Sequence, residues 1–135
     1  MKLLGLLGKK AKKKEEQAAL ETVDELEEIC KGEPELIEAL KNVMFINPGR
    51  IEIKLEHAVS KAKEMEKKRD KLRAAVWYRI AGGLAIYEGN VPKVKEYLGK
   101  YSKLTGKSLK ILEIPEKAVK AAQEYYSKYL GKSEK

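Results

Sequence analysis

Catalysis by a Ser-His-Asp set would have to run through His57, the single histidine among 135 residues. A nucleophilic serine needs a base within hydrogen-bond reach and a turn that exposes its hydroxyl, and no GxSxG elbow occurs in the chain. His57 is therefore expected at the surface or on the rim of a core. Asp24, Glu25, Glu27 and Glu28 are of the type that binds divalent cations, yet no EF-hand loop with its glycine surrounds them and no ExxH motif points to a di-iron bundle. They read as a solvated acidic face. LTGKS, residues 104 to 108, ends like a phosphate-binding loop, but GxxxxGKS requires a glycine where this chain has Tyr101. Cys30 is the only cysteine, which excludes an intramolecular disulfide and a Cys-based zinc site within one chain. No catalytic residue, metal or cofactor is expected. One lone thiol fits a reducing setting, the cytoplasm or the inside of a virion.

What remains is lysine, which supplies 25 of the 29 basic residues. Lys9, Lys10, Lys12, Lys13 and Lys14 crowd the amino end. Lys54, Lys61 and Lys68 recur every seven residues, with Lys63, Lys67, Lys71 and Arg73 close by. Rows of ammonium groups suit a phosphate backbone, where counterion release drives binding without reading sequence. Arg50, Arg69, Arg73 and Arg79 are the only arginines, so bidentate readout of bases is not expected. Nucleic acid, DNA in the first place, is the partner this pattern implies. Trp77 and the seven tyrosines have faces on which bases stack, but they fall at helical core spacing and are expected inside. The rival explanation of the lysines is a hyperthermophile's surface, which the shortage of amides also fits: Gln17, Gln123, Asn42, Asn47 and Asn90 are all there are.

The formal net charge of +8 hides an asymmetry. Residues 1 to 14 hold six lysines and no acid, whereas residues 15 to 38 hold ten acids against Lys31 alone. The acidic segment therefore neutralises either a basic helix of its own molecule or one of a neighbour; sequence leaves both open. The apolar tip LLGLLG is shorter than the roughly seven to fifteen residues of a signal-peptide core, and no window approaches the roughly 18 residues of a membrane span. Contact of Leu3, Leu4, Leu6 and Leu7 with a lipid surface would be weak. They suit self-association better, docking into a neighbour's groove.

The elements that position these residues are helical by period. Ala19, Val23, Leu26 and Cys30 predict an amphipathic helix over 10 to 31, ended by Gly32. Pro34 opens a second helix with Leu36, Ile37, Leu40 and Met44 on its apolar face. Ile51, Leu55, Ala58, Ala62, Met65, Arg69, Leu72 and Val76 then alternate steps of four and three, a heptad seam interrupted at Arg69. One helix of thirty-odd residues, roughly 50 Å at 1.5 Å per residue, follows if the seam is continuous; a break between Lys68 and Asp70 is the alternative. VMFI, NPG and RIEIKLE alternate as a short β-hairpin near 43 to 55 would, against a helix-turn-helix reading of the same stretch. Residues 74 to 87 are apolar on every face except Arg79 and belong at the centre of a bundle, with Gly82 and Gly83 admitting a close neighbour. Val91, Val94, Tyr97, Leu98, Tyr101 and Leu104 line one further helix. Ala118, Ala122, Tyr125, Tyr126 and Tyr129 line another, which starts at Pro115 and ends by Gly131.

WYRIAGGLAIYEGNVPKVKEYLGKYSKL, 77 to 104, resembles a tetratricopeptide-type helical hairpin: an aromatic opens the first helix, small residues sit mid-helix, and a glycine turn leads to a second helix bearing tyrosine. Ile80 and Ala81 stand where the family has leucine and glycine, Gly89 comes one residue late, and Lys93 replaces alanine. PEKAVKAAQEYYSKYL, 115 to 130, resembles another second helix. Such repeats stack antiparallel helices and bind peptides on a concave face.

The sequence thus predicts an all-α compact bundle of five or six helices with one long central helix. Residues 1–14 form a basic arm, 15–131 a single helical domain and 132–135 a tail. The expected function is non-enzymatic coating or packaging of nucleic acid, of a chromatin-like or viral kind from a hyperthermophilic archaeal setting, with self-association. The alternative is a tetratricopeptide-like adaptor for protein partners.

Overall fold

The computed structural model describes residues 25–45, 48 and 51–130. Every regular element among them is helical: 25–30 (α1), Pro34–Lys41 (α2), Leu55–Lys67 (α3), Lys71–Glu88 (α4), Val91–Thr105 (α5), a 3-10 turn at Lys110–Leu112 and Pro115–Tyr129 (α6). The chain is a bundle of helices, and no strand occurs among the described residues. Val43 to Phe45 and residues 51 to 54 pair into no ladder, so the hairpin does not form there; 46, 47, 49 and 50 lie outside the described residues. Ile51 and Ile53 instead lie half-buried against the α3–α4–α5 core, where burial competes with strand pairing.

Local chemistry sets the helix ends. Lys31 and Gly32 both take positive φ, 51° and 74°, which turns the chain out of α1. Pro34 then occupies the first turn of α2, where a missing N–H costs nothing. Gly89 closes α4 at φ 73°, and the Asn90 side chain accepts the Lys93 N–H at 3.2 Å to open α5.

The thirty-odd-residue helix is interrupted at the alternative position. Arg69 takes φ 60°, its N–H donates to the Glu66 carbonyl at 3.0 Å, and the Asp70 N–H donates to the Met65 carbonyl at 2.9 Å. This is a Schellman end with arginine where glycine is usual. The Asp70 carboxylate accepts the Arg73 N–H at 3.1 Å and caps the next helix. A left-handed residue resets helical phase. The seam consequently holds through Leu55, Ala58, Ala62 and half-buried Met65, whereas Leu72 is 77% and Val76 51% exposed.

At 18 residues α4 is the longest helix among those described, and it is central, packing on α3, α5 and α6. Gly82 and Gly83 permit that. A Cβ at Gly82 would lie 2.3 Å from Leu98 Cδ2, and one at Gly83 2.3 Å from Phe45 Cε2. One half of the core joins α3, α4 and α5, with Tyr78 stacked on Tyr97 at 6.4 Å. The other joins α1, α2, the ends of α4 and α5, the 3-10 turn and α6, where Tyr126 meets Tyr87 edge-on at 5.1 Å. Tyr126 is fully buried and its hydroxyl donates to the Phe45 carbonyl at 2.5 Å. Core placement of the tyrosines is realised at Tyr78, Tyr97, Tyr125 and Tyr126, all buried. Among the described residues no helix is long and apolar enough to cross a membrane.

Candidate nucleic-acid interface

Eight basic and four acidic residues lie between Lys54 and Arg73. The fold gathers them on α3, the tight turn after it and the first residues of α4. Ala58 and Ala62 face the core with no exposure at all, which directs the charged positions of α3 outward.

Those positions form two flanks. On one, Lys61 and Lys68 share Glu64, with Nζ to carboxylate distances of 3.5 and 3.3 Å. The Lys68 hydrogen bond, with the charge of Lys61 beside it, holds the Glu64 carboxyl below its ordinary range. Two lysines and one shared carboxylate leave a net single charge. Lys54 precedes α3 on this side and is exposed. On the other flank Lys63 and Lys67 stand one turn apart, both exposed.

The corner follows directly on Lys68. Arg69 projects from the turn, Lys71 begins α4, and both are exposed. Arg73 lies 3.6 Å from the Asp70 carboxylate that also caps the helix. Of the remaining acids, Glu66 accepts the Tyr78 hydroxyl and Glu56 is exposed on α3. Lys54, Lys63, Lys67, Arg69 and Lys71 make no ion pair among the described residues.

The acidic segment decides whether that cationic field survives. Glu28 binds the Lys128 ammonium at 2.7 Å and accepts the Tyr129 hydroxyl at 2.9 Å, while Glu33 pairs with Lys117 at 3.8 Å. Those hydrogen bonds, Lys128 first, hold Glu28 below its ordinary pKa. α2 packs on α6 and the 3-10 turn. Two acids of 25–38, Glu28 and Glu33, thus meet lysines of α6, and neither ion pair reaches α3 or the corner.

Of the residues expected to bind nucleic acid, Lys54, Lys61, Lys63, Lys67, Lys68, Lys71 and Arg73 lie on or beside α3, at the turn after it and at the start of α4, over two flanks. Lys9, Lys10, Lys12, Lys13 and Lys14 lie outside the described residues, as do Leu3, Leu4, Leu6 and Leu7. Arg69 was legible only as an interruption of the seam; its left-handed backbone at the tip of the corner is a finding of the structure. His57 is exposed, with its ring edge-on to Trp77 at 6.0 Å, and Cys30 is buried, both as their spacing predicts. Burial raises the Cys30 thiol pKa, which makes it a poor nucleophile. Among the described residues no three metal-ligating side chains gather.

The fold and this surface define a class: a helical bundle with a lysine- and arginine-rich corner, of which Lys63, Lys67, Arg69 and Lys71 make no ion pair among the described residues. No family model, curated protein or solved structure matches the chain.

Proposed function

We propose that the chain is a structural nucleic-acid-binding protein that coats or packages its ligand without strong sequence preference, with duplex DNA as the first candidate. The observation that carries this reading is the set of exposed cations Lys63, Lys67, Arg69 and Lys71, unpaired among the described residues, while Glu28 and Glu33 of the acidic segment pair with lysines of α6. Ammonium groups on short, rigid helical turns neutralise phosphates by point contact, and lysine in place of arginine favours charge over base readout.

Coating also requires chains to meet. Exposed Leu72 and Val76, beside the cationic corner, are apolar side chains available for that contact. A hyperthermophilic archaeal or viral setting rests on composition, the lysine excess and the scarcity of amides. The adaptor reading calls for an open groove lined by Tyr97, Tyr101 and Tyr126. Tyr97 and Tyr126 are buried in the two halves of the core, which favours the coating reading over the adaptor.

Fluorescence anisotropy with a short labelled duplex tests the coating reading. Binding at 50 mM salt that collapses by 200 mM is the expected result. No affinity at 50 mM removes it.

A further inference from the structure

A cavity that shares no lining residue with the cationic corner lies beside α4. It has a volume of about 590 Å³ and is bounded by the end of α2 at Asn42, by Arg79 of α4, by Tyr101 near the end of α5 and by the loop carrying Lys107 and Ser108. That size is within the range of small-ligand sites. Its two cations have backbones or heads that are fixed in place. Arg79 Nη2 donates to the Asn42 carbonyl at 2.6 Å, which anchors the guanidinium and leaves its other N–H groups available. Lys107 is held from both sides: its carbonyl accepts the Ser102 hydroxyl at 2.6 Å, and its N–H donates to Thr105 Oγ1 at 3.2 Å. Thr105 Oγ1 in turn donates to the Tyr101 carbonyl at 2.9 Å, and Gly106 takes φ 72° to make the turn.

Among the described residues no carboxylate lines this cavity, and neither Arg79 nor Lys107 forms an ion pair. We propose that the pocket binds a phosphate monoester, with Arg79 and Lys107 neutralising the dianion, Ser108 donating to a phosphate oxygen, and Tyr101 and Leu109 walling the attached organic group. Two cations without a counter-charge match a group carrying nearly two negative charges at neutral pH; a carboxylate would leave one of them uncompensated. The cavity shares no residue with the proposed DNA surface, and the proposal does not rest on that reading. Its ligand has two sources of the same chemistry, a free small phosphate monoester or the terminal phosphate of a nucleic-acid strand.

The test titrates the full chain with adenosine monophosphate, followed by amide shifts and calorimetry. Shifts at Asn42, Arg79, Tyr101, Lys107 and Ser108 are expected, with affinity at least about tenfold weaker in Lys107→Met and in Arg79→Met. Arg79 also braces α2, so Lys107→Met is the variant that decides if Arg79→Met unfolds. Lys63→Gln, which does not line the cavity, keeps full affinity. Binding weakens below about pH 6, where the monoester dianion takes up one proton and becomes a monoanion, whereas acetate binds at no pH. A 5′-phosphorylated oligonucleotide that outbinds its 5′-hydroxyl counterpart and is competed by the nucleotide assigns the strand end; equal binding of the two oligonucleotides, with the nucleotide still bound, assigns the small molecule. No shift up to millimolar nucleotide, an unaffected Lys107→Met variant, or equal binding of acetate overturns the proposal.

Discussion

Replacing Arg69 by glycine separates stability from binding. The residue sits at φ 60° in the Schellman turn between α3 and α4, is exposed, and makes no ion pair among the described residues. The left-handed backbone costs an L-residue about 1–2 kcal/mol, and glycine's greater freedom in the unfolded chain returns about 0.5–1 kcal/mol of that. Arg69→Gly should therefore stabilise the fold by about 0.5–1 kcal/mol, raising Tm by about 2–4 °C for a chain of this size. It should also remove one phosphate contact and reduce the slope of log K against log salt by about 0.9. Lys31→Gly is the control: its φ of 51° predicts a comparable gain, but it lies in the acidic segment and should leave DNA binding unchanged. Urea titration with constant m value reads the first quantity and anisotropy the second. A less stable Arg69→Gly, or one that binds with an unaltered salt slope, refutes the reasoning.

Three further outcomes follow from the core and its tyrosines. Gly82→Ala should destabilise by about 1–2 kcal/mol despite alanine's better helix propensity, because the fully buried Leu98 cannot retreat. Gly83→Ala should cost less, since half-buried Phe45 meets the new methyl with its ring edge and can swing; equal midpoints in urea would contradict both statements. Burial, as the first cause, raises the pKa of Tyr78, Tyr97 and Tyr126 above the ordinary value near 10. Above that pH the unfolded chain releases protons the native state retains, so stability is complete below about pH 10 and falls as pH rises, by about 1.4 kcal/mol per unit for each tyrosine still protonated. Absorbance at 295 nm alongside urea melts checks this, and phenols that ionise near pH 10 in a folded chain would contradict it.

Much of the fold was legible because helix ends are written locally. Pro34, Gly89-Asn90 and Pro115 each mark the boundary they form. The apolar run around Gly82 and Gly83 announces a helix enclosed by others. The phase of α4 was not legible, because the four-three pattern runs on through Leu72 and Val76 while the backbone sign of Arg69 leaves no mark in residue type. Cation identity was equally plain, but cation availability was not. It depends on pairings such as Glu28 with Lys128 and the hydroxyl of Tyr78 with Glu66, which only tertiary structure brings together. The cavity around Arg79 shows the same limit, since Asn42 meets that guanidinium from 37 positions away.

The most direct test compares the chain with its Lys63→Gln, Lys67→Gln, Arg69→Gln, Lys71→Gln variant in duplex binding from 50 to 200 mM salt. Four phosphate contacts account for a slope of about −3.6, a loss of about 150-fold over that range, and the variant should be flatter by that amount with its helical content intact. An unchanged slope would place binding elsewhere and contradict the assignment of the corner.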